Sequence, residues 1–263
     1  MGIVGLVREN LASRNLISSL ARSDFRTRYV GSYYGLLWEI VQPLSLIFLF
    51  WFVFEFALGI TTIEGVPFVL WFIIGLIPWF FFSDAWSNAT NAFTQYSFLV
   101  KKMVFKVEVL PTVKVISSFL TSIIFHVILV VFLIIYGEGG RLSFLAVLYY
   151  LFCTFALVMG LGFITSSIVV FFKDMRQLLT IILQFGIYLT PILWSQSAIP
   201  EEYHWFITLN PMAYVVDGYR DAILGELSFD PLTTGIFWAM TAAFLIVGGI
   251  VFQRLRPHLA DVL

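Results

Sequence analysis

Six apolar stretches, each near the length needed to cross a lipid bilayer, dominate this chain: Leu37 to Leu58, Phe68 to Trp86, Val109 to Tyr136, Leu142 to Phe172, Leu178 to Trp194 and Leu232 to Phe252. A helix needs about 20 such residues to cover roughly 30 Å of hydrocarbon. Within lipid, only helices and closed barrels satisfy every backbone amide. The stretches lack the in-out alternation of barrel strands, so the expected fold is an all-α integral membrane protein with six transmembrane helices. Composition agrees: 12% of the 263 residues are charged and 60% are apolar, where a soluble domain carries about 25% charged. That balance sets aside disorder, a secreted disulfide scaffold and a nucleic-acid-binding module. The lone Cys153 leaves no internal disulfide. Ile3 to Val7 is too short a core for a signal peptide, so the amino terminus is expected to stay uncut.

Charge placement gives orientation. Thirteen of the fifteen Lys and Arg fall on one side of the six spans. Arg8, Arg14, Arg22, Arg26 and Arg28 precede the first, and Lys101, Lys102, Lys106 and Lys114 lie between the second and third. Lys173 and Arg176 separate the fourth and fifth, and Arg254 and Arg256 follow the sixth; only Arg141 and Arg220 lie opposite. The positive-inside rule makes both termini cytoplasmic. The other side is acidic after span five, with Glu201, Glu202, Asp217, Asp221, Glu226 and Asp230. Without repeats or soluble linkers, one membrane domain is expected over residues 1–263: an interfacial segment at 1–36, the spans at 37–254 and an outer segment at 195–231.

Three segments are neither span nor plain loop. Leu16, Ile17 and Leu20 share one helical face and Arg14, Arg22 and Arg26 the other, as in a helix lying along the cytoplasmic leaflet. Tyr96, Leu99, Val100, Met103 and Val107 recur at helical spacing, with Lys101, Lys102 and Lys106 opposite. Periodicity alone fits equally a short amphipathic lever for a soluble partner and a basic loop resting on headgroups. In the outer segment, Asn210 and Pro211 start a helix that Gly225 stops. Met212, Val215, Val216, Tyr219 and Ile223 form its apolar face, opposite Tyr214, Asp217, Gly218 and Asp221. It is too short to span, so a re-entrant or surface helix is expected, preceded by a shorter element around Glu202 to Leu209.

Polar stripes run through the spans. Gln177, Thr180, Gln184, Tyr188, Pro191 and Ser195 share one face of an ideal helix in span five. Asp84, Ser87, Asn88, Asn91 and Gln95 do so at the inner end of span two, and Trp38, Gln42, Ser45, Phe52 and Phe56 in span one. Amides, hydroxyls and aromatic rings suit a sugar chain; the plainer reading is hydrogen bonding between helices. No phosphate-wrapping glycine loop is present, and His126, His204 and His258 with one Cys give no metal-site spacing, so no metal or cofactor is expected in this chain.

The chain is similar to the membrane permease subunit of ATP-binding-cassette exporters of cell-surface polysaccharides: O antigen, wall teichoic acid and capsule. The resemblance rests on Ser23 to Tyr29 with Gly35 to Trp38 and Gln42-Pro43, on Phe171 to Gln177, on Leu189 to Trp194, and on Leu209 to Pro211 through Tyr219-Arg220. It implies a homodimer in the bacterial cytoplasmic membrane, with two ATPase subunits that bind the ATP and Mg, and a lipid-linked polysaccharide as cargo. Trp38, Gln42, Ser45, Phe52, Phe56, Gln184, Tyr188 and Ser195 are then candidate channel residues. Arg26, Arg28 and Tyr29 lead into span one at the cytoplasmic interface. Tyr96, Leu99, Val100, Lys101, Lys102, Met103 and Lys106 become the helix that docks on the ATPase. Asn210, Pro211, Tyr214, Tyr219 and Arg220 become the outer gate. The alternatives are a drug or small-lipid exporter on the same scaffold, an integral-membrane transferase relying on Asp217 and Asp221, and a purely structural assembly subunit.

Overall fold

The computed structural model describes residues 3–29, 34–101, 105–138, 142–225 and 229–263. At the basic end lie α1 (Ile3–Ala12) and α2 (Arg14–Tyr29). Helix α3 (Gly35–Trp51) then rises to the acidic end, finishing in a wider π turn over Phe52–Ala57. A two-stranded hairpin, β1 (Thr62–Ile63) and β2 (Val66–Pro67), reverses the chain through Glu64 (φ 50°) and Gly65 (φ 80°). Two left-handed residues are what a two-residue hairpin turn demands.

Helix α4 (Phe68–Thr90) is apolar all round, and 83% of its most hydropathic 18-residue stretch is buried, which makes it the axis of the protomer. Against it pack α7 (Leu110–Tyr136), α8 (Phe144–Val169) and α11 (Pro211–Leu224). Helix α12 (Pro231–Val262) lies against α8. That crossing is close because both helices carry glycine there: a Cβ added at Gly248 would meet the Gly160 carbonyl at 2.7 Å. In the outer segment α10 (His204–Thr208) precedes α11. Asn210 caps α11 by accepting from the Met212 amide, Pro211 occupies its first turn, and Gly225 ends it at φ 80°. Start and stop lie where the sequence puts them.

The expected fifth span differs. Five helices are long and apolar enough to cross a membrane, but α9 (Met175–Leu189) has 15 residues, about 22 Å at ~1.5 Å each. Thr190 turns extended (ψ 140°) because the residue before a proline avoids the helical region, and Pro191 cannot donate to the ladder. Pro191 and Ser195 therefore leave the helix face on which Gln184 and Tyr188 lie, and both are buried.

The expected helix over Tyr96–Val107 is also interrupted. Two single-turn helices, α5 (Ala92–Gln95) and α6 (Ser97–Val100), flank Tyr96 (φ −103°, ψ 30°), and a 3-10 turn covers Val107–Val109. Lys102 and Met103 lie outside the described residues, as do Arg141, Glu226 and the side chain of Tyr29. Tertiary bonds explain the interruption: the Tyr96 hydroxyl is committed to α2 and the Lys106 ammonium to α1.

Candidate functional site

Two of the three helices that carry polar stripes, α3 and α9, are left largely bare by the protomer, whereas the stripe of α4 is part-buried. Only 11% of the apolar window of α3 is buried, and Trp38, Gln42, Ser45, Phe52 and Phe56 are all exposed. The Ser45 hydroxyl donates to the Val41 carbonyl within its own helix (2.7 Å), and the Phe52 and Phe56 rings stack at 5.2 Å. On α9, Gln177, Thr180, Gln184 and Tyr188 are likewise exposed. Both helices flank α4, and between them lies a cavity of about 380 Å³ lined by Glu39, Gln42, Asp84, Ser87 and Thr180. Gln42 and Thr180 are thus brought together; Ser195 is not with them, lying instead in the outer segment. A polar surface at hydrocarbon depth is costly unless another helix or water covers it.

At the basic end the chain builds a buried charge network. Ser13, in the turn before α2, and Ile17, Ala21 and Asp24 within the helix face inward at helical spacing, while Arg14, Arg22 and Arg26 face outward. The Lys114 ammonium on α7 donates to Asp24, and the Tyr96 hydroxyl donates to the same carboxylate at 2.8 Å. Burial alone would raise the Asp24 pKa; the Lys114 ammonium, helped by the Tyr96 hydroxyl, outweighs it and holds the carboxyl below its usual range. Burial, then the neighbouring Asp24 charge, pushes the Tyr96 hydroxyl up. Arg28 reaches from α2 to Asp84 on α4 (3.2 Å) and to Ser118 on α7 (3.2 Å). Lys106 pairs with Glu9 at 2.6 Å and Arg256 with Glu108 at 3.2 Å, fastening α1 and the end of α12 beside the same segment. Leu99 is half-buried, Val100 buried and Lys101 exposed.

At the acidic end α11 is buried on more than its apolar face. Asn210 donates to Thr190 Oγ1 (3.0 Å), tying α11 to the end of α9. The Tyr214 hydroxyl bonds those of Tyr149 (3.1 Å) and Thr234 (3.2 Å), and the fully buried Tyr219 hydroxyl meets His126 Nε2 at 3.2 Å. Arg220 is 3% exposed. It donates to Asp217 (3.2 Å) and to the Ile192 carbonyl (3.0 Å), and its guanidinium lies 3.9 Å over the Trp71 ring. Ser195 donates to Glu64 at the hairpin turn.

Asp24, Glu64 and Trp71 are absent from the sequence-based candidates because their partners are remote: Asp24 and Lys114 stand 90 positions apart, Ser195 and Glu64 131. Lys114 did carry a signal, an ammonium inside an otherwise apolar helix. Among the described residues no cluster of three or more His, Cys, Asp or Glu is placed to hold a metal.

Comparison with known proteins agrees with this architecture. The chain is 28% identical over 255 residues to an O-antigen export system permease protein, RfbA, of Klebsiella pneumoniae, covering 95% of each chain. It is 24% identical over 261 residues to a protein of the same name from Myxococcus xanthus, covering 98% of this chain and 99% of that one. The polysialic acid transport protein KpsM of Escherichia coli is 22% identical over 241 residues, covering 90% of this chain and 92% of KpsM. The family model for ABC-2 type transporters matches residues 15–224, and the chain therefore belongs to the ABC-2 type transporter family.

Proposed function

We propose that this chain is the channel-forming permease of an ATP-driven exporter that carries a lipid-linked polysaccharide across the cytoplasmic membrane. The observation that carries the reading is on α3 and α9: both present amide, hydroxyl and aromatic side chains on faces that the protomer leaves uncovered. A second copy facing them would shelter Gln42, Thr180, Gln184 and Tyr188 from lipid and enclose a polar passage. Names of relatives matched over nearly their full length, O-antigen export permease and polysialic acid transport protein, support a glycan as cargo. The extended Thr190 and the buried turn after it complete a sixth crossing, with α10 and α11 folded back as the outer gate. The basic end faces the cytoplasm, in accord with the excess of Lys and Arg there. An ATPase subunit docks against α5, α6 and α1, where exposed Lys101 and the Tyr96 link to α2 offer a grip and a lever.

The test has two parts. Chain and ATPase subunit reconstituted in vesicles are expected to move a lipid-linked glycan only with ATP, and Gln184→Cys is expected to cross-link two copies. Transport without an ATPase, or an uncross-linkable monomer that transports, refutes the reading.

A further inference from the structure

The flank of α9 turned away from α3 borders an apolar groove of about 560 Å³. Its floor is a row of rings on α4, where Trp79, Phe82 and Trp86 follow one another with centroids 5.4 Å apart. Ile182, Phe185 and Leu189 of α9 form one wall, and Leu161 of α8 with Phe244 of α12 the other. Trp205 and Phe206 of α10, with Leu209 just after it, close the end toward the acidic side. The α9 wall is open to contact: Phe185 is 64% exposed and Ile182 48%. The groove cannot collapse by drawing α9 closer to α4. Gly186 already sits against the Trp79 ring, where an added Cβ would stand 2.7 Å from it. From Ile181 to Leu189 the groove runs about 12 Å at ~1.5 Å per residue, close to the ~15 Å of hydrocarbon in one leaflet.

We propose that this groove is a binding site for one acyl chain of a membrane phospholipid from the leaflet at the acidic end. Its chemistry selects hydrocarbon. No charged residue lines it, and its two polar side chains are spent on each other, the Asn210 amide donating to Thr190 Oγ1 at 3.0 Å. Trp86 Nε1 finds no acceptor among the described residues but has no accessible surface, so it offers a ligand nothing. A sugar or a peptide would leave its hydroxyls or amides unpaired there, whereas a methylene chain has none to pair. Position selects the membrane as the source. At ~100° per residue, Ile182, Gly186 and Leu189 lie about 140–160° around α9 from Gln184, so a second copy covering the polar stripe leaves this flank open. The far wall belongs to lipid-facing helices: no exposed residue of α8, or of α12 between Pro231 and Ile250, has a polar side chain. A lipid at the outside of a helix meets protein on one side. A chain in this groove meets it on three, and the added dispersion contacts hold it there.

The test uses the full chain with its ATPase subunit in nanodiscs of phosphatidylethanolamine and phosphatidylglycerol. A small share of phosphatidylcholine carrying a diazirine on its acyl chain is the probe, and labelled residues are mapped by mass spectrometry after irradiation. Ile182, Phe185 and Leu189 are expected to take about tenfold more label than Ile246 and Ile250, exposed residues of α12 outside the groove. That ratio corresponds to a preference of ~1.4 kcal/mol for the groove. Ile182→Trp fills the groove from an exposed position and is expected to bring label at Phe185 and Leu189 down to the level at Ile250. If that variant does not fold, the map of the parent chain decides alone. Equal label at the two places, or groove label that Ile182→Trp leaves undiminished, overturns the site. Loss of groove label on adding lipid-linked glycan without ATP also overturns it, by giving the groove to the tail of the cargo. So does a disulfide between two Ile182→Cys copies, which would give the groove to the second protomer.

Discussion

Asp24 and Lys114 show how much one contact holds at the basic end. Both are nearly inaccessible, at 7% and 4% exposure, and the pair joins the amphipathic α2 to the start of α7. Removing Lys114 leaves the buried Asp24 carboxylate with only the longer Arg28 contact (3.5 Å) to balance its charge, a loss of up to about 3–5 kcal/mol, whereas removing both leaves Arg28 its bond to Asp84. Lys114→Met is therefore expected to lower the melting temperature of the detergent-purified chain sharply, and adding Asp24→Asn to restore part of the loss. The pH dependence has a definite sign. The folded pKa of Asp24 lies below its ordinary 3.8, so its stabilisation is complete above 3.8 and is lost as pH falls through the folded value. Melting temperature followed from pH 7 downward should fall less steeply in Asp24→Asn than in the parent chain; identical profiles would remove Asp24 from the account.

At the scale of elements, what the sequence discloses depends on how local the cause is. Helices α4, α7, α8 and α12 follow from apolar length alone, and α11 from Asn210, Pro211 and Gly225, whose effects act within one turn. The shortness of α9 was legible in principle, since Pro191 stands inside the apolar run and constrains Thr190. The interruption at Tyr96 was not, because the bond that holds it goes to Asp24, 72 positions away. The candidate site divides the same way: periodicity finds the stripes on α3 and α9, but Glu64, Trp71 and Asp24 acquire meaning only through folding. Asn210 tests the junction of these elements. Its carbonyl caps α11 while its amide holds Thr190 at the end of α9. Asn210→Ala is expected to cost about 1 kcal/mol of capping and to speed hydrogen exchange at both Met212 and the end of α9. Faster exchange at Met212 alone would show that the two helices are not tied through this residue.

Across the whole molecule, α4 is sheathed by α7, α8 and α11 while α3 and α9 hang on its remaining side, so one face of the protomer is finished and the other is not. The two faces of α9 make opposite predictions. Leu183 is half-buried against the core around α4, whereas its neighbour Gln184 is exposed on the unfinished side. If α9 lines a passage, Gln184→Leu should leave the melting temperature unchanged and slow glycan transport about tenfold, the kinetic equivalent of one lost hydrogen bond of ~1.4 kcal/mol. Leu183→Gln should do the reverse, lowering stability by placing an amide against apolar side chains, with transport by the surviving folded complexes near normal. Melting curves and vesicle transport on both variants separate these cases. A stability loss in Gln184→Leu with transport intact would place that face in a static helix-helix contact, leaving α9 a structural strut with no part in conduction.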